Sequence, residues 1–268
     1  MTKIGIVGCD GRMGRMLVRE VLGTAGVLLA GGVERPGSDA VGRDLGELVG
    51  LPRTGLVVGT DAGVLFETAD AVMDFTTPAA AVEHARLAAQ TRTALVVGTT
   101  GLGPEQEAPL VEAAARAALV RAPNMSVGVN LMLSLVERVA ALLEAGTFDI
   151  EIVEMHHRHK TDAPSGTALA LGRAAAAGRQ VPLDQVWRKS RDGQTGARPE
   201  GEIGFATLRG GDVVGDHTVI FAADGERLEI THKASSRQIF ARGAVRAACW
   251  AAGAPPGLYS MRDVLGLE

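Results

Sequence analysis

Three of the six histidines in this sequence fall close together, at His156, His157 and His159, in the run EMHHRHKTDAPSGTA over residues 154–168. Lys160 follows them, and the run then becomes an alanine-rich, helix-forming stretch. A histidine titrates near neutral pH and can transfer a proton during a reaction. The N–H groups and the dipole at the start of a helix favour a bound anion. The run therefore predicts a site for a substrate that carries carboxylates and is protonated as it reacts.

Two different roles for the histidine run stay open at this point. The three histidines could bind a metal ion, although no Glu, Asp or Cys spacing completes a familiar ligand set. They could also form a solvated polar turn. Among the remaining histidines, His84 and His217 are expected to have structural roles, and His232, at the end of a predicted strand, could have either role.

A second candidate site is the glycine-rich segment GCDGRMG over residues 8–14, between the first predicted strand and the first predicted helix. Its glycines permit a tight turn and a close approach to a dinucleotide pyrophosphate at the helix N-terminus. Asp10 stands where the middle glycine of the usual fingerprint would be, so the spacing is G-x-x-G-x-x-G. Glu34 ends the second predicted strand and could accept hydrogen bonds from the adenosine ribose. A purely structural turn would show the same glycines.

Two further features concern the choice and the position of a cofactor. Arg35 follows Glu34, and its guanidinium could contact a 2′-phosphate, so both NADH and NADPH are expected to be used. A solvated surface arginine is the alternative. The loop GTTG over residues 98–101 follows another strand at its carboxyl end, where open α/β sheets bind ligands. It could lie against a nicotinamide ring or could be only a helix-entry turn.

The elements that must position these residues alternate along the first half of the chain. Short apolar runs predict strands over 3–7, 27–33, 56–58, 71–75, 93–97 and 119–122, and helices are predicted over 15–22, 78–90 and 104–118. Strands that are apolar throughout and are separated by helices predict a parallel sheet covered on both faces.

The pattern changes near Pro123. The second half predicts helices over 127–145, 167–177 and 238–252, a strand over 148–155, and an antiparallel run of strands over 203–209, 218–223 and 226–232. The predicted fold class is α/β, a Rossmann-type doubly wound parallel sheet with a second α+β domain built on a mixed, largely antiparallel sheet. The expected bounds are 1–126 for the dinucleotide-binding domain, with 237–268 returning to it, and 127–236 for the second domain.

Composition narrows the class of protein. The 268 residues include 27 Lys and Arg against 31 Asp and Glu, and no basic run stands out, which argues against nucleic acid as a partner. No apolar run reaches the ~18 residues of a membrane span, and the first residues lack the shape of a signal peptide. Cys9 and Cys249 form no disulfide framework. A cytoplasmic protein with no membrane partner is expected.

Together, these motifs resemble those of the dihydrodipicolinate reductases (4-hydroxy-tetrahydrodipicolinate reductases) of bacterial lysine and diaminopimelate synthesis. The resemblance runs from end to end. It rests on the glycine loop, the histidine run, and the segments DFT at 74–76, GTTG at 98–101, APN at 122–124, HKASSR at 232–237 and MRDVL at 261–265.

The resemblance implies a reductase that transfers hydride from NADH or NADPH to a cyclic dicarboxylate, formed as the 4-hydroxy precursor loses water, and yields tetrahydrodipicolinate. It implies that His156 is the proton donor, that Lys160 is a second catalytic cation, and that His157, Gly166 and Thr167 hold the substrate carboxylates. The implied cofactor residues are Gly8, Cys9, Asp10, Gly11, Arg12, Met13, Glu34, Arg35, Gly98, Thr99, Thr100, Ala122, Pro123, Asn124 and Met125. The resemblance also implies a homotetramer, built through the sheet of a substrate-binding and oligomerisation domain.

The sequence departs from the family at a few positions. Met125 stands where some relatives have Phe, and Pro36 follows Arg35, which affects the reach of that guanidinium. His159 is expected to point away from the site if strand alternation continues past His156. Two other functions stay open, a reductase of another small carboxylic acid and a non-catalytic nicotinamide-binding sensor. A sensor would have no use for paired His and Lys beside an anion-binding helix.

Overall fold

The computed structural model describes residues 1–267, and it divides into two compact units. Unit 1 contains Met1–Val127 and the segment that begins at Gln238, and unit 2 contains Gly128–Arg237. None of the helices described is both long enough and apolar enough to cross a membrane.

Unit 1 is built on a six-stranded sheet in which every pairing is parallel. Its strands are β1 (Thr2–Val7), β2 (Val27–Val33), β3 (Ala71–Asp74), β4 (Ala94–Val97), β5 (Ala118–Arg121) and β11 (Gly257–Tyr259). They lie in the order β11-β5-β4-β3-β1-β2, so the direction of winding reverses between β1 and β3. Open α/β sheets bind ligands at such a reversal, outside the carboxyl ends of the strands.

Helices cover both faces of this sheet. They are α1 (Arg12–Gly23), α2 (Leu45–Leu48), α3 (Ala62–Thr68), α4 (Pro78–Thr91), α5 (Pro104–Ala114), α9 (Gln238–Ala251) and α10 (Met261–Leu265). One apolar core joins α1, α9 and α10 to sheet residues such as Ile4 and Met73, and the other joins α3, α4 and α5 to Val72 and Leu95. Because both faces are buried, the strands are apolar throughout rather than alternating.

Unit 2 is built on a five-stranded mixed sheet. Its elements are α6 (Val127–Leu142), β6 (Asp149–His156), α7 (Gly166–Gly178), α8 (Leu183–Val186), β7 (Trp187–Arg188), β8 (Ile203–Arg209), β9 (Gly215–Ala223) and β10 (Glu226–Ala234). The strand order is β10-β9-β6-β8-β7. Strand β9 pairs antiparallel with β10 and β6, whereas β8 pairs parallel with β6 and β7.

One face of the second sheet packs against α6 and α7. The shared core includes Val136 of α6, Leu171 of α7, Phe205 of β8 and Phe221 of β9. Along β6 the buried residues alternate with partly buried ones, and Glu154 and His156 continue the buried series that begins with apolar residues. The helix-covered face therefore ends in ionisable side chains at the carboxyl end of β6.

The predicted fold class is confirmed, and the predicted elements differ from the structure in three respects. The strand predicted over 56–58 is wrong, because this segment makes only isolated bridges beside a loop whose N–H groups bind the buried Asp44 carboxylate. Strand β8 was expected in the antiparallel run but is parallel to β6. The last predicted helix of the first half ends at Ala114 rather than 118, and the short elements α2, α3, α8, β7, β11 and α10 were not predicted.

Candidate active site

The glycine loop turns the chain from β1 into α1 with little room for side chains. Gly8 has a φ of +67°, in the left-handed region that favours glycine, and a Cβ there would lie 2.7 Å from Thr76 Cγ2. A Cβ on Gly14 would lie 2.0 Å from the Gly8 carbonyl oxygen. Gly11 is the N-cap of α1 and offers no side-chain acceptor to the first N–H groups of the helix. This cradle fits a phosphate group, which those N–H groups would bind.

Glu34 is tied to the glycine loop at the end of β2. Its Oε1 accepts the Asp10 N–H at 2.9 Å, and its Oε2 accepts the Arg35 N–H at 3.3 Å. The Asp10 carboxylate itself pairs with Arg15 at 2.5 Å. Arg35 is exposed, and its guanidinium contacts no acceptor in the part of the chain that the structure describes.

Two adjoining cavities lie in unit 1, of about 480 Å³ and about 320 Å³, and Phe75 and Thr76 line both of them. Eleven of the predicted cofactor residues line one or the other, namely Gly8, Gly11, Glu34 and Arg35 in the first and Met13, Gly98, Thr99, Thr100, Pro123, Asn124 and Met125 in the second. The two cavities lie at loops that follow β1, β2, β3, β4 and β5, which is the ligand-binding edge of the sheet.

The remaining predicted cofactor residues lie outside the cavity walls. The side chains of Cys9 and Ala122 are buried in the apolar core. Burial, reinforced by Glu34, raises the pKa of the Cys9 thiol to about 12, so the thiol stays protonated at neutral pH. Arg12 is exposed on the first turn of α1, and Asp10 is held by Arg15. Cys9 and Ala122 can therefore offer only backbone groups to a cofactor.

Asp74 is a fully buried carboxylate beneath these cavities. Its Oδ1 accepts hydrogen bonds from the Thr76 N–H, the Thr76 hydroxyl and the Thr99 hydroxyl at 2.8, 2.7 and 3.0 Å. Its Oδ2 lies 2.6 Å from Nδ1 of His84, which lines the first cavity. Burial would raise the pKa of Asp74, but the hydrogen bonds from His84 and Thr76 outweigh it, and the pKa lies below its usual range. The ionised carboxylate joins the turns that follow β3 and β4.

Unit 2 also has a buried carboxylate near the end of a strand, as unit 1 has Asp74. It is Glu154 on β6, which is 1% exposed. Its Oε2 lies 2.5 Å from His156 Nδ1, and its Oε1 accepts the Ser165 N–H at 2.9 Å. Arg209 of β8 donates to both oxygens, at 2.8 and 3.0 Å. Arg209 also donates to the Asp162 carbonyl oxygen at 2.5 Å, in the loop between β6 and α7.

The N-terminus of α7 begins beside this carboxylate. Ser165 is its N-cap, and the hydroxyl accepts the Ala168 N–H at 3.1 Å and lies 3.1 Å from His217 Nε2. Gly166 is exposed, and a Cβ there would meet no atom within 4 Å. The first turn of α7, which contains Gly166 and Thr167, is therefore open to solvent at Gly166, as an anion site at a helix N-terminus requires.

Of the predicted cations, His157 lines a cavity of about 670 Å³ in unit 2, whereas His156 and Lys160 do not. The lining residues are His157, Arg158, His159, Gly211, Asp212 and Arg237. His157 donates its N–H to the Val213 carbonyl oxygen at 2.7 Å, and its Nε2 lies 3.4 Å from the Arg237 guanidinium. Burial and the positive charge of Arg237 lower the pKa of His157. Lys160 pairs with Asp162 at 2.9 Å.

The strand alternation on which the expectation for His159 depends is absent. Strand β6 ends at His156, so the alternation of side chains does not continue, and His159 lines the same cavity as His157 with its ring centroid 6.3 Å away. Within residues 1–267, no group of three or more His, Cys, Asp or Glu side chains is arranged to hold a metal ion.

Sequence reasoning missed several residues of the two sites. Glu154 could have been found, because it lies two residues before His156 on an alternating strand and so shares its face. Arg209, Arg237 and the pairing of His84 with Asp74 gave no such signal, because each contact joins segments that are distant or irregularly spaced in the sequence.

Known proteins match this chain over nearly its whole length. Residues 2–125 match the family model for the N-terminus of dihydrodipicolinate reductase, and residues 128–265 match the model for its C-terminus. The 4-hydroxy-tetrahydrodipicolinate reductase of Parvibaculum lavamentivorans is 56% identical over 267 residues, which cover 99% of this chain and 98% of the relative. The 4-hydroxy-tetrahydrodipicolinate reductase 1 of Mesorhizobium japonicum is 55% identical over 263 residues, covering 98% and 96%.

A solved structure shares the fold. The dipicolinate-bound dihydrodipicolinate reductase from Paenisporosarcina sp. TG-14 aligns with a TM-score of 0.77 at 28% identity, and the alignment covers 97% of each chain.

The burial of His217 predicts a pH dependence of stability. Burial, with the nearby His156, lowers the pKa of His217 from its ordinary value of 6.5 to about 4. The unfolded chain therefore binds the proton more readily than the folded chain does. The contribution of neutral, buried His217 to the unfolding free energy is complete above pH 6.5 and is lost as the pH falls from 6.5 to 4. The pKa difference corresponds to about 3 kcal/mol of unfolding free energy.

Urea denaturation of the wild type and of His217→Gln across this pH range measures the effect. Between pH 6.5 and pH 4, we expect the unfolding free energy of the variant to fall by about 3 kcal/mol less than that of the wild type. His159→Gln, which removes an exposed histidine of the same unit, should keep the wild-type dependence. A His217→Gln variant with the full wild-type loss would contradict the assignment.

Proposed function

This chain belongs to the dihydrodipicolinate reductase family, and we propose that it reduces the dihydrodipicolinate formed from 4-hydroxy-tetrahydrodipicolinate to tetrahydrodipicolinate, with NAD(P)H as the reductant. The observation that carries this proposal is the match of both halves of the chain to the two models of that family. The two sites agree with it in chemistry, because unit 1 has a glycine cradle for a dinucleotide and unit 2 has cations beside an open helix N-terminus. The reaction belongs to lysine and diaminopimelate biosynthesis.

The dinucleotide is assigned to the two cavities of unit 1. The N-terminus of α1 would bind the pyrophosphate, and Glu34 and Arg35 would contact the adenosine half in the first cavity. The loop with Gly98, Thr99 and Thr100 and the segment from Pro123 to Met125 would line the nicotinamide half in the second cavity. The unpaired guanidinium of Arg35 supports the use of NADPH as well as NADH, because it is available to a 2′-phosphate.

The dicarboxylate is assigned to unit 2. Gly166 and Thr167 would bind one carboxylate through the open first turn of α7, where backbone N–H groups and the helix dipole favour a negative charge. His157 would bind a carboxylate that lies in the cavity that His157 lines. Arg237 is added to this set, because its guanidinium lines that cavity 3.4 Å from His157 Nε2.

His156 and Lys160 are proposed to complete the reduction. NAD(P)H, when bound, supplies the hydride that adds to C4 of the conjugated imine. The electron pair of that system moves toward the ring nitrogen, and a proton must then be delivered. His156 would deliver the proton, and the Lys160 ammonium would stabilise the negative charge as it develops.

The protein is proposed to be a cytoplasmic homotetramer, assembled through the sheet of unit 2. Both long helices of this unit pack in the core on one face. The opposite face carries Leu208, which is 50% exposed, and the partly buried Val153 and Ile220. These apolar side chains form a patch beside charged residues of the same face, such as Glu151 and Glu229. An exposed apolar patch with a polar rim suits a second copy of the same chain.

The role of Arg35 predicts a difference between the two cofactors. Arg35→Ala should lower kcat/KM for NADPH about 10–100-fold, since a hydrogen bond to a charged group contributes about 1.5–3 kcal/mol, and should change the value for NADH little. Absorbance of NAD(P)H in a coupled assay, with substrate generated by the preceding synthase, measures both. Arg116→Ala is the matched control, because this exposed arginine lies between α5 and β5, four strands away from β2 in the sheet. Equal losses of kcat/KM with both cofactors would mean that Arg35 does not contact the 2′-phosphate.

The proposed proton donor predicts a loss of turnover rather than of binding. His156→Ala and Lys160→Ala should lower kcat by ~10²–10⁴-fold, the usual range for general acid catalysis, and should raise KM less. His157→Ala should mainly raise KM, because it would bind a carboxylate already present in the ground state. The same coupled assay measures these values, with circular dichroism to verify folding and fluorescence to verify NADH binding. Near-native kcat in both His156→Ala and Lys160→Ala would overturn the assignment.

A further inference from the structure

The charge state of Glu154 follows from its surroundings. Burial alone would raise the pKa of this carboxyl, but the donors Arg209, His156 and the Ser165 N–H outweigh burial and hold the pKa below its usual range. An ionised carboxylate can only accept hydrogen bonds. Because Oε2 lies 2.5 Å from His156 Nδ1, that nitrogen carries a proton, and Nε2 is the nitrogen that can release one.

We propose that Glu154 is the positioning residue of this reaction, which fixes the orientation and the tautomer of His156 and ties it to the N-terminus of α7. This inference rests on the proposed function. During the reaction the proton would leave doubly protonated His156 from Nε2 and bond to the substrate, while Nδ1–H stays bonded to Glu154. Glu154 itself neither gains nor loses a proton, and His156 is protonated again from solvent.

The two oxygens of the Glu154 carboxylate bind different partners, and this supports the positioning role. Oε2 binds His156, which is assigned to proton transfer, and Oε1 binds the N–H of Ser165, which begins the helix assigned to a substrate carboxylate. A small rotation of the carboxylate would break one contact or the other, so the two groups keep a fixed relative position. Reacting groups must be held within a fraction of an ångström for efficient transfer.

Arg209 extends this arrangement to the loop that carries Lys160. One guanidinium group bridges both oxygens of Glu154 and the Asp162 carbonyl oxygen, and Asp162 pairs with the Lys160 ammonium. Both cations assigned to the reaction are thus connected to the same buried carboxylate. Arg209 also supplies the positive charge that a buried carboxylate needs.

Glu202 is a buried carboxylate of the same unit without this role, and so provides a matched control. It is 8% exposed and pairs with Arg188 at 2.7 Å and with Arg191 at 2.8 Å, but no histidine contacts it. Glu202→Gln and Glu154→Gln each remove one buried, arginine-paired charge. Loss of stability is expected in both, whereas an effect on catalysis through a histidine is expected only in Glu154→Gln.

The first test compares the steady-state kinetics of these two variants with the wild type in the coupled assay. Glu154→Gln should lower kcat about 10–100-fold, the loss typical for the hydrogen-bonding partner that orients a metal-bound histidine, with a smaller change in KM. Glu202→Gln should keep the wild-type kcat. Wild-type turnover with an unchanged kcat in Glu154→Gln would overturn the role of Glu154 and leave the proposed function intact. A wild-type enzyme without turnover would overturn the proposed function, and this inference with it.

The pH profile separates positioning from general damage to the fold. The ionisable groups around His156 are Glu154 on its own strand, the adjacent His157, and His217 on β9, with its ring centroid 5.0 Å away. Arg209 on β8 shares the Glu154 carboxylate with His156, and the charge of Lys160 acts on the neighbouring His217. Of these, Glu154 is the one that favours the protonated imidazole. Its neutralisation should therefore move the alkaline limb of the kcat profile to lower pH. An unmoved limb would contradict the proposal.

A double variant tests whether Glu154 acts through His156. Adding Glu154→Gln to His156→Ala should lower kcat much less than Glu154→Gln lowers it in the wild type, because the main group being positioned is already absent. Fully additive losses would mean that Glu154 does not act through His156. If Glu154→Gln does not fold, Glu154→Asp replaces it. Glu154→Asp keeps the negative charge on a side chain that is one methylene shorter. We therefore expect kcat to fall while the alkaline limb of the kcat profile stays nearer its wild-type position.

Discussion

A carboxylate buried away from water remains ionised only when hydrogen-bond donors and positive charge surround it, and each unit of this protein contains such a group at a site. In unit 1 it is Asp74, at the end of β3, and in unit 2 it is Glu154, near the end of β6. Each contacts Nδ1 of a histidine and accepts hydrogen bonds from loops that follow the strands. The loss of one donor would leave a buried charge unsatisfied, so the same requirement fixes the loops that carry the site residues.

This constraint has a chemical consequence in unit 2. A histidine that is bonded through Nδ1 to a carboxylate presents its other nitrogen in one tautomer and one orientation. His156 is such a residue, and it lies beside the open N-terminus of α7. In the proposed site, positive charge and helix N–H groups would therefore be in place before a dicarboxylate binds. A site organised in advance needs little rearrangement as charge develops in the reaction, and this lowers the barrier.

The sequence predicted the elements better than their connections. The alternation of apolar strands and helices was sufficient to predict the parallel sheet of unit 1, because a sheet buried on both faces requires strands that are apolar throughout. The direction of β8 was not predictable from its own residues, since parallel and antiparallel strands can have the same composition. The roles of His156 and His157 were predicted from their types and spacing and stay predictions. The strand alternation expected to reach His159 does not occur, because β6 ends at His156. Arg209 and the His84–Asp74 pair depend on long-range contacts, which local patterns do not contain.

The protonation state of the His156 ring is the measurement that tests whether Glu154 fixes its tautomer. Nuclear magnetic resonance of protein labelled with ¹⁵N in its histidine rings distinguishes a protonated nitrogen from a bare one, and His156→Ala identifies the signal. At mildly alkaline pH and without ligands, we expect Nδ1 of His156 to carry the proton, held by Glu154, and Nε2 to be bare. A His156 ring protonated at Nε2 and bare at Nδ1 would contradict it, because an ionised Glu154 could not then bond to that nitrogen.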